Sequence, residues 1–418
     1  MEPEPAAGVS GRLIAVVVAV CAVVLILGYA GKGCRGWLSG HPMSFLCHSD
    51  IRALYELRGM DRDIFPYVSG HLIVIGEPGL PMRWSLRPVG GANEYPVLTG
   101  VLMWMPSLAA SSADGYVGVS ALLLAPFGLL TAWLLARMAG VRALLWAASP
   151  CLLLYAFHNW ELPVVAASTA GLWSWWRGKS GWAAFWFGLG GALKLYPLLF
   201  LLPLAMERWF EGDRRAAARL AGIGIGTWAV INLPFALTSP SGWAVAFRFH
   251  GLRRPNYDSL WGVLSSTFDL RPSQIGLGST ALVVLAMGTV AVAASRRAGR
   301  DRRFPFIQMS AALLAAFLLA NKVNSPQYAL WLLPFFAVVG VRLRWYALFV
   351  VGNLVMYAAI FGVSVSSVEA RDVIVTWSVW VRTATLLGLT VAFLRAPAAM
   401  GEPERRTAQV AVPAAGAV

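Results

Sequence analysis

The chain reads as an all-α polytopic membrane protein, on three observations. Of its 418 residues, 58% are hydrophobic and 13% charged, with a mean hydropathy of +0.64. A water-soluble globule could not keep that much apolar surface dry. The apolar residues are gathered in runs at 12–30, 116–137, 141–157, 160–176, 216–237, 276–295, 305–320, 327–341, 343–363 and 374–395, most of them near the ~20 residues a helix needs to cross hydrocarbon. Finally, much of the positive charge behind the net +14 sits in short connections and in the tail: Arg137/Arg142, Arg177/Lys179, Arg214/Arg215/Arg219, Arg296 to Arg303, Arg342/Arg344 and Arg405/Arg406. Under the positive-inside rule these face the cytoplasm. The basic balance is a topological mark, and no nucleic-acid partner is expected.

Taken in order, residues 1–11, with Pro3 and Pro5, read as a disordered cytoplasmic tail. Segment 12–30 is a retained anchor, because Arg12 is its only basic flank and no clear small-residue cleavage site follows. A first extracytoplasmic loop spans 31–95, and within it Ile51, Leu54, Tyr55 and Arg58 share one face of a short amphipathic helix that Ser49 can cap. Segment 96–111 is a juxtamembrane or re-entrant element. Segment 181–206 runs between two basic connections with Lys194-Leu195-Tyr196-Pro197 at its centre. It therefore enters and returns as two short helices meeting at a polar elbow, since a mid-bilayer lysine is costly unless it faces a wet cavity. A long outer loop covers 238–275, and an Ala/Pro-rich cytoplasmic tail covers 396–418. One transmembrane domain, 12–395, with about 12 crossings and extracytoplasmic juxtamembrane helices results, both termini inside. No Walker loop, dinucleotide-binding glycine pattern or internal repeat is present.

That orientation collects the reactive side chains on the outer face: His48-Ser49-Asp50, Glu94-Tyr95-Pro96, His158-Asn159-Trp160-Glu161, Lys194-Leu195-Tyr196-Pro197, Arg253-Arg254-Pro255-Asn256-Tyr257-Asp258, and Asn321-Lys322 through Gln327-Tyr328. Polar and aromatic clusters on one face imply a single cavity. Carboxylates can deprotonate a hydroxyl, Arg and Lys can hold phosphate, and Trp and Tyr can stack on sugar rings. The combination suits transfer of a sugar from a lipid phosphate.

The runs Ser49-Asp50-Ile51, Glu94-Tyr95-Pro96-Val97-Leu98-Thr99-Gly100, Lys194-Leu195-Tyr196-Pro197, Arg254-Pro255-Asn256-Tyr257-Asp258-Ser259-Leu260-Trp261 and Ser325-Pro326-Gln327-Tyr328-Ala329-Leu330-Trp331, in that order, resemble those of actinobacterial glycosyltransferase family 87. The resemblance implies a C-type glycosyltransferase fold and an inverting α-mannosyltransferase of the bacterial plasma membrane. Its co-substrate would be polyprenyl-phosphate-mannose, with no cofactor, and its acceptor a cell-envelope glycolipid or glycan on the extracytoplasmic side. The family's first-loop aspartate falls on Asp50, as general base toward the acceptor hydroxyl. In the first turn of its helix Asp50 is favoured as the anion.

His48, Glu94, Tyr95, Asn159, Glu161, Lys194, Tyr196, Arg253, Arg254, Asn256, Tyr257, Asp258, Lys322, Gln327 and Tyr328 are the substrate-binding candidates. Several keep a second reading. Glu161 either binds sugar hydroxyls or orients an arginine, or is incidental to an interfacial Trp160. Lys194, too deep to snorkel, awaits a phosphate or a buried carboxylate. Arg253 and Arg254 clamp the donor phosphate or bind anionic headgroups, and Tyr328 serves the cavity or the aromatic belt. Asp61-Arg62-Asp63 has the spacing of an acidic metal motif but reads as a solvated run, and the histidines lack zinc-ligand spacing, so no metal is expected. Cys34 and Cys47 share the oxidising side, where a disulfide between them is one option. A transporter or lipid flippase, whose pathway the same charges would line, is the alternative function.

Overall fold

In the computed structural model, residues 9–33, 46–76, 84–361 and 368–400 are described. Cys34 and most of both tails lie outside them.

Helix α1 (Gly11–Lys32) starts where the Ser10 hydroxyl accepts from the Leu13 amide. The expected amphipathic helix is α2 (Asp50–Leu57), burying Ile51 and Tyr55. Ser49 is its N-cap residue but does not cap it, because its hydroxyl donates instead to the Phe157 carbonyl at 2.8 Å.

An antiparallel hairpin of β1 (His71–Gly76) and β2 (Trp84–Val89), His71 opposite Val89, departs from the all-α reading. Gly70 (φ +92°) leads into it with Val89 and Gly90 carbonyls where a Cβ would be. Only glycine fits there. Helix α3 (Val97–Trp104) continues as a 3-10 turn to Ala109 and packs at the C-terminal end of the later helix over Ser180–Leu193, its Thr99 hydroxyl donating to the Leu193 carbonyl at 2.6 Å.

Helix α4 (Ala113–Ala139) returns across the molecule. The run expected as one span over 141–157 is broken into a 3-10 turn (Gly140–Ala143), α5 (Leu144–Ala147) and α6 (Pro150–Tyr155). Gly140 and Ser149-Pro150 stand at the interruptions. Helix α7 (Leu162–Trp176) follows, then α8 (Ser180–Leu193), a 3-10 turn over Tyr196–Phe200 and α9 (Leu201–Phe210). Arg208 donates to the Ser180 hydroxyl at 3.1 Å, bringing the far ends of α8 and α9 together. The segment is therefore the re-entrant hairpin expected. Both arms lean on α10 (Arg214–Thr238) at Gly224, where small residues permit close approach.

The short α11 (Pro240–Leu252) and α12 (Leu260–Phe268) come next, followed by α13 (Pro272–Asp301), α14 (Phe306–Ala320), a 3-10 turn over Pro326–Tyr328, α15 (Ala329–Val338), α16 (Leu343–Phe361) and α17 (Val368–Arg395). The tail expected to be loose from 396 is held at its start: Gly340 donates to the Pro397 carbonyl and Ala399 to the Val338 carbonyl, both at 2.8 Å.

Helix length sorts the bundle. Among the described residues, six helical segments, built on α1, α4, α10, α13, α16 and α17, are long and apolar enough to cross a membrane, and all keep exposed faces. The shorter α7 and α14 are buried nearly all round, and every residue of α15 is buried. A fifteen-residue helix rises ~22 Å, short of the ~30 Å hydrocarbon. Arg177/Lys179 and Arg302/Arg303 flank one end of α7 and α14. The shortfall therefore falls at the opposite end, where Lys194 and Lys322 line a recess beside the buried Asn159 and Glu161.

Candidate active site

Asp50 opens α2 and is built by two segments far apart in the chain. Lys32 Nζ donates to the His48 and Leu154 carbonyls (2.8 and 3.1 Å), and the Asp50 amide donates to the His158 carbonyl at 2.8 Å. The loop before α2 is thereby pinned onto the turn before α7. Asn159 Nδ2 donates to Asp50 Oδ2 at 2.8 Å, and the Nε2 atoms of His48 and His158 lie 3.6 and 3.8 Å from the carboxylate. The Asp50 side chain stays 31% exposed, so lone pairs remain open.

Burial alone would raise the Asp50 carboxyl. The nearby His158 and His48 rings and the hydrogen bond from Asn159 outweigh it and hold Asp50 well below the usual carboxylate range. Burial pushes His158 down to about 3 although Asp50 pulls it up, leaving a neutral ring at pH 7. Chain spacing gave no hint that His48, Asp50 and His158 each present a ligand atom within 4.8 Å of the others, close enough to hold a metal ion.

Asn159 carries the link onward, since its Nδ2 also donates to the Tyr95 hydroxyl at 2.7 Å while its Oδ1 takes the Trp160 amide. The Tyr95 ring lies 5.2 Å from Lys194 Nζ. Lys194 breaks α8 in an extended conformation and pairs with Glu161 Oε1, whose other oxygen accepts from Trp331 Nε1 at 2.6 Å. Of the two partners open at sequence level, Lys194 thus takes the buried carboxylate. Glu161 is 0% exposed, and its partners satisfy both oxygens. Tyr196, Trp331 and Tyr328 form a continuous stack with centroids 4.2 and 3.8 Å apart, the last two within 6 Å of Lys194 Nζ.

These side chains enclose a cavity of about 200 Å³ lined by Tyr95, Lys194, Tyr196, His250, Lys322 and Tyr328. It shares His250, Phe317, Asn321 and Lys322 with a larger apolar groove of about 740 Å³ between α11 and α13. Lys322 Nζ donates to the Gly251 carbonyl at 2.8 Å. Arg253 donates to Asn256 Oδ1 at 2.6 Å, and Asn256 Nδ2 to the Ser325 hydroxyl at 3.0 Å. Arg254 is half-buried beside them, and Gln327 is buried in its 3-10 turn.

Three candidates are placed elsewhere. The Glu94 carboxylate is held bidentately by Arg58 (2.6 and 2.7 Å), leaving its carbonyl to His250 Nε2 at 3.1 Å. Tyr257 is 56% exposed and points outward. Asp258 is buried against Arg382 of α17, 4.0 Å from its carboxylate, and Arg382 also donates to the Asn324 carbonyl. Sequence reasoning overlooked His250, Trp331 and Arg382 as site or supporting residues. Trp331 stood in a quoted motif, whereas nothing in the local sequence marks His250. Asp61 and Asp63 are exposed.

The family model of glycosyltransferase family 87 matches residues 94–320, just over half of the chain. Asp50 precedes that stretch. No curated protein matches. Among solved structures the chain is similar to ArnT from Cupriavidus metallidurans, crystallised bound to undecaprenyl phosphate, at 17% identity and a TM-score of 0.44, over 91% of this chain and 77% of that one. On the strength of the family match, joined to its multiple apolar helices, the chain belongs to glycosyltransferase family 87 as a multi-pass membrane glycosyltransferase.

Proposed function

We propose that this enzyme moves a mannosyl residue from polyprenyl-phosphate-mannose to a cell-envelope acceptor on the extracytoplasmic face of the bacterial plasma membrane, with inversion and with Asp50 as general base. The observation that carries the reading is continuity. An apolar groove between α11 and α13 opens into a cationic and aromatic cavity that the Tyr95–Asn159 link joins to Asp50. The prenyl chain lies in the groove, the phosphate meets Lys322 and Arg253, and the sugar stacks on Tyr328. The acceptor oxygen bonds to the anomeric carbon as the carbon–phosphate oxygen bond breaks. Its proton passes to Asp50, and polyprenyl phosphate leaves with the negative charge. Mannose is supported by family likeness alone.

The test is transfer of label from radiolabelled polyprenyl-phosphate-mannose in membrane fractions. Asp50→Asn keeps the shape and removes basicity, so transfer falls by roughly 10²–10⁴-fold while the purified protein melts like wild type. Retained turnover would move the base elsewhere. EDTA leaves the rate unchanged, whereas loss on chelation would reassign His48, Asp50 and His158 to holding a cation and overturn the base role.

A further inference from the structure

A second lateral groove shares no residue with the one between α11 and α13. It has a volume of about 550 Å³ and runs between α1 and α4, lined by Ala22, Ile26, Tyr29, Gly118 and Leu122 and backed by Phe157. Both walls belong to membrane-spanning helices, and Ile26 and Leu122 are 66% and 78% exposed, so the groove opens onto hydrocarbon. In that setting the occupant is a lipid chain.

What the groove leads to decides which lipid. Tyr29 also lines a polar pocket of about 220 Å³ at the outer end, with Lys32, Arg52 and Asp114. Arg52 pairs with Asp114 and donates to the Lys32 carbonyl at 3.0 Å, while Lys32 Nζ is committed to carbonyls. An ion pair at a pocket offers donors and acceptors with little net charge, which suits hydroxyl groups. The pocket adjoins the catalytic helix, since Arg52 lies two residues after Asp50. Phe157 at the back of the groove precedes His158, which faces Asp50.

We infer that the α1/α4 groove seats an acyl chain of the acceptor. The acceptor is then a membrane-anchored glycolipid whose polyhydroxyl headgroup passes over Arg52 and Asp114 to Asp50, and not a free or polymeric glycan. This rests on the transferase reading above, with the donor chain in its own groove.

The experiment uses the full chain in membranes and radiolabelled polyprenyl-phosphate-mannose, with product separated into solvent-extractable lipid, water-soluble and delipidated polymer fractions. Label is expected in the lipid fraction. Ala22→Trp fills the groove and raises the acceptor KM roughly tenfold with kcat nearly kept, so added membrane lipid from cells lacking the enzyme restores the rate. Leu285→Trp, on an exposed face of α13, leaves the rate unchanged. Label in the water-soluble or polymer fraction, or an Ala22→Trp rate equal to wild type or lowered through kcat alone, overturns the inference and leaves the transferase reading standing. No label transfer at all from wild type overturns the transferase reading itself, and the inference with it.

Discussion

Asp50 and Glu161 are carboxylates on either side of one turn, yet they are held in opposite ways. Glu161 is 0% exposed, and Lys194 and Trp331 take both its oxygens. Asp50 is 31% exposed with one amide donor at 2.8 Å, while the two histidine nitrogens stand at 3.6 and 3.8 Å, outside hydrogen-bond range. Position at the recess does not distinguish the two. Their partners do: a carboxylate whose lone pairs are all taken fixes a floor, and one with lone pairs to spare can receive a proton.

The sharpest break of this comparison is removal of Glu161. Glu161→Ala leaves Lys194 buried without a counter-charge, a loss of about 3–5 kcal/mol. It is read as a collapse in the yield of monodisperse protein and a lower melting temperature. The double variant Glu161→Gln with Lys194→Met removes both charges and recovers most of the loss. Asp50→Asn costs little stability by comparison. If Glu161→Ala folded like wild type and lost only turnover, the two roles would have to be exchanged.

A smaller effect is expected at Asn159, which joins the two regions. Asn159→Ala frees Asp50 from Tyr95 while leaving the groove and Lys322 in place. Its kcat should fall roughly 10²-fold through misplacement of the base, with the donor KM unchanged. A raised donor KM with normal kcat would make Asn159 a binding residue and dissolve the bridge.

The floor was easier to read from sequence than the base. Lys194 at the middle of an apolar stretch demanded both a helix break and a partner, because a lone buried ammonium is prohibitive, and the hairpin and Glu161 supply them. The basic connections are local signals too, and each falls at a junction between two helices. The surroundings of Asp50 depend on residues more than a hundred positions apart, His158 and Asn159 against His48 and Asp50. No period or spacing reports such a contact. Glu94 was grouped with the cavity because Tyr95 follows it, but its carboxylate turns to Arg58 on the far end of α2. The hairpin at 71–76 and 84–89 was missed because short apolar runs in a chain this hydrophobic do not declare helix or strand by periodicity.

The least of the expected effects concerns acid, and it separates the catalytic carboxylate from its surroundings. Burial pushes His158 to about 3 and, with Arg253 adding to it, His250 to about 4, from an ordinary 6.5. Between about 4 and 6.5 the unfolded chain binds protons at these rings that the folded protein does not, so stability rises with pH across that window and is lost as pH falls. Asp50 works at lower pH, because a depressed carboxyl gives stability that is fully present above its unfolded value and lost only as pH drops through its folded one. Of these three groups, the histidines alone contribute acid lability above pH 4. A neutral His250 facing the Glu94 carbonyl at 3.1 Å must carry its proton on Nε2, since the carbonyl only accepts. In His250→Gln the amide nitrogen replaces that donor and cannot titrate. Melting temperature followed from pH 4 to 7 should then show a shallower slope than wild type, with the pH profile of kcat unmoved. An unchanged slope would mean that the ring is not held neutral between the groove and Glu94.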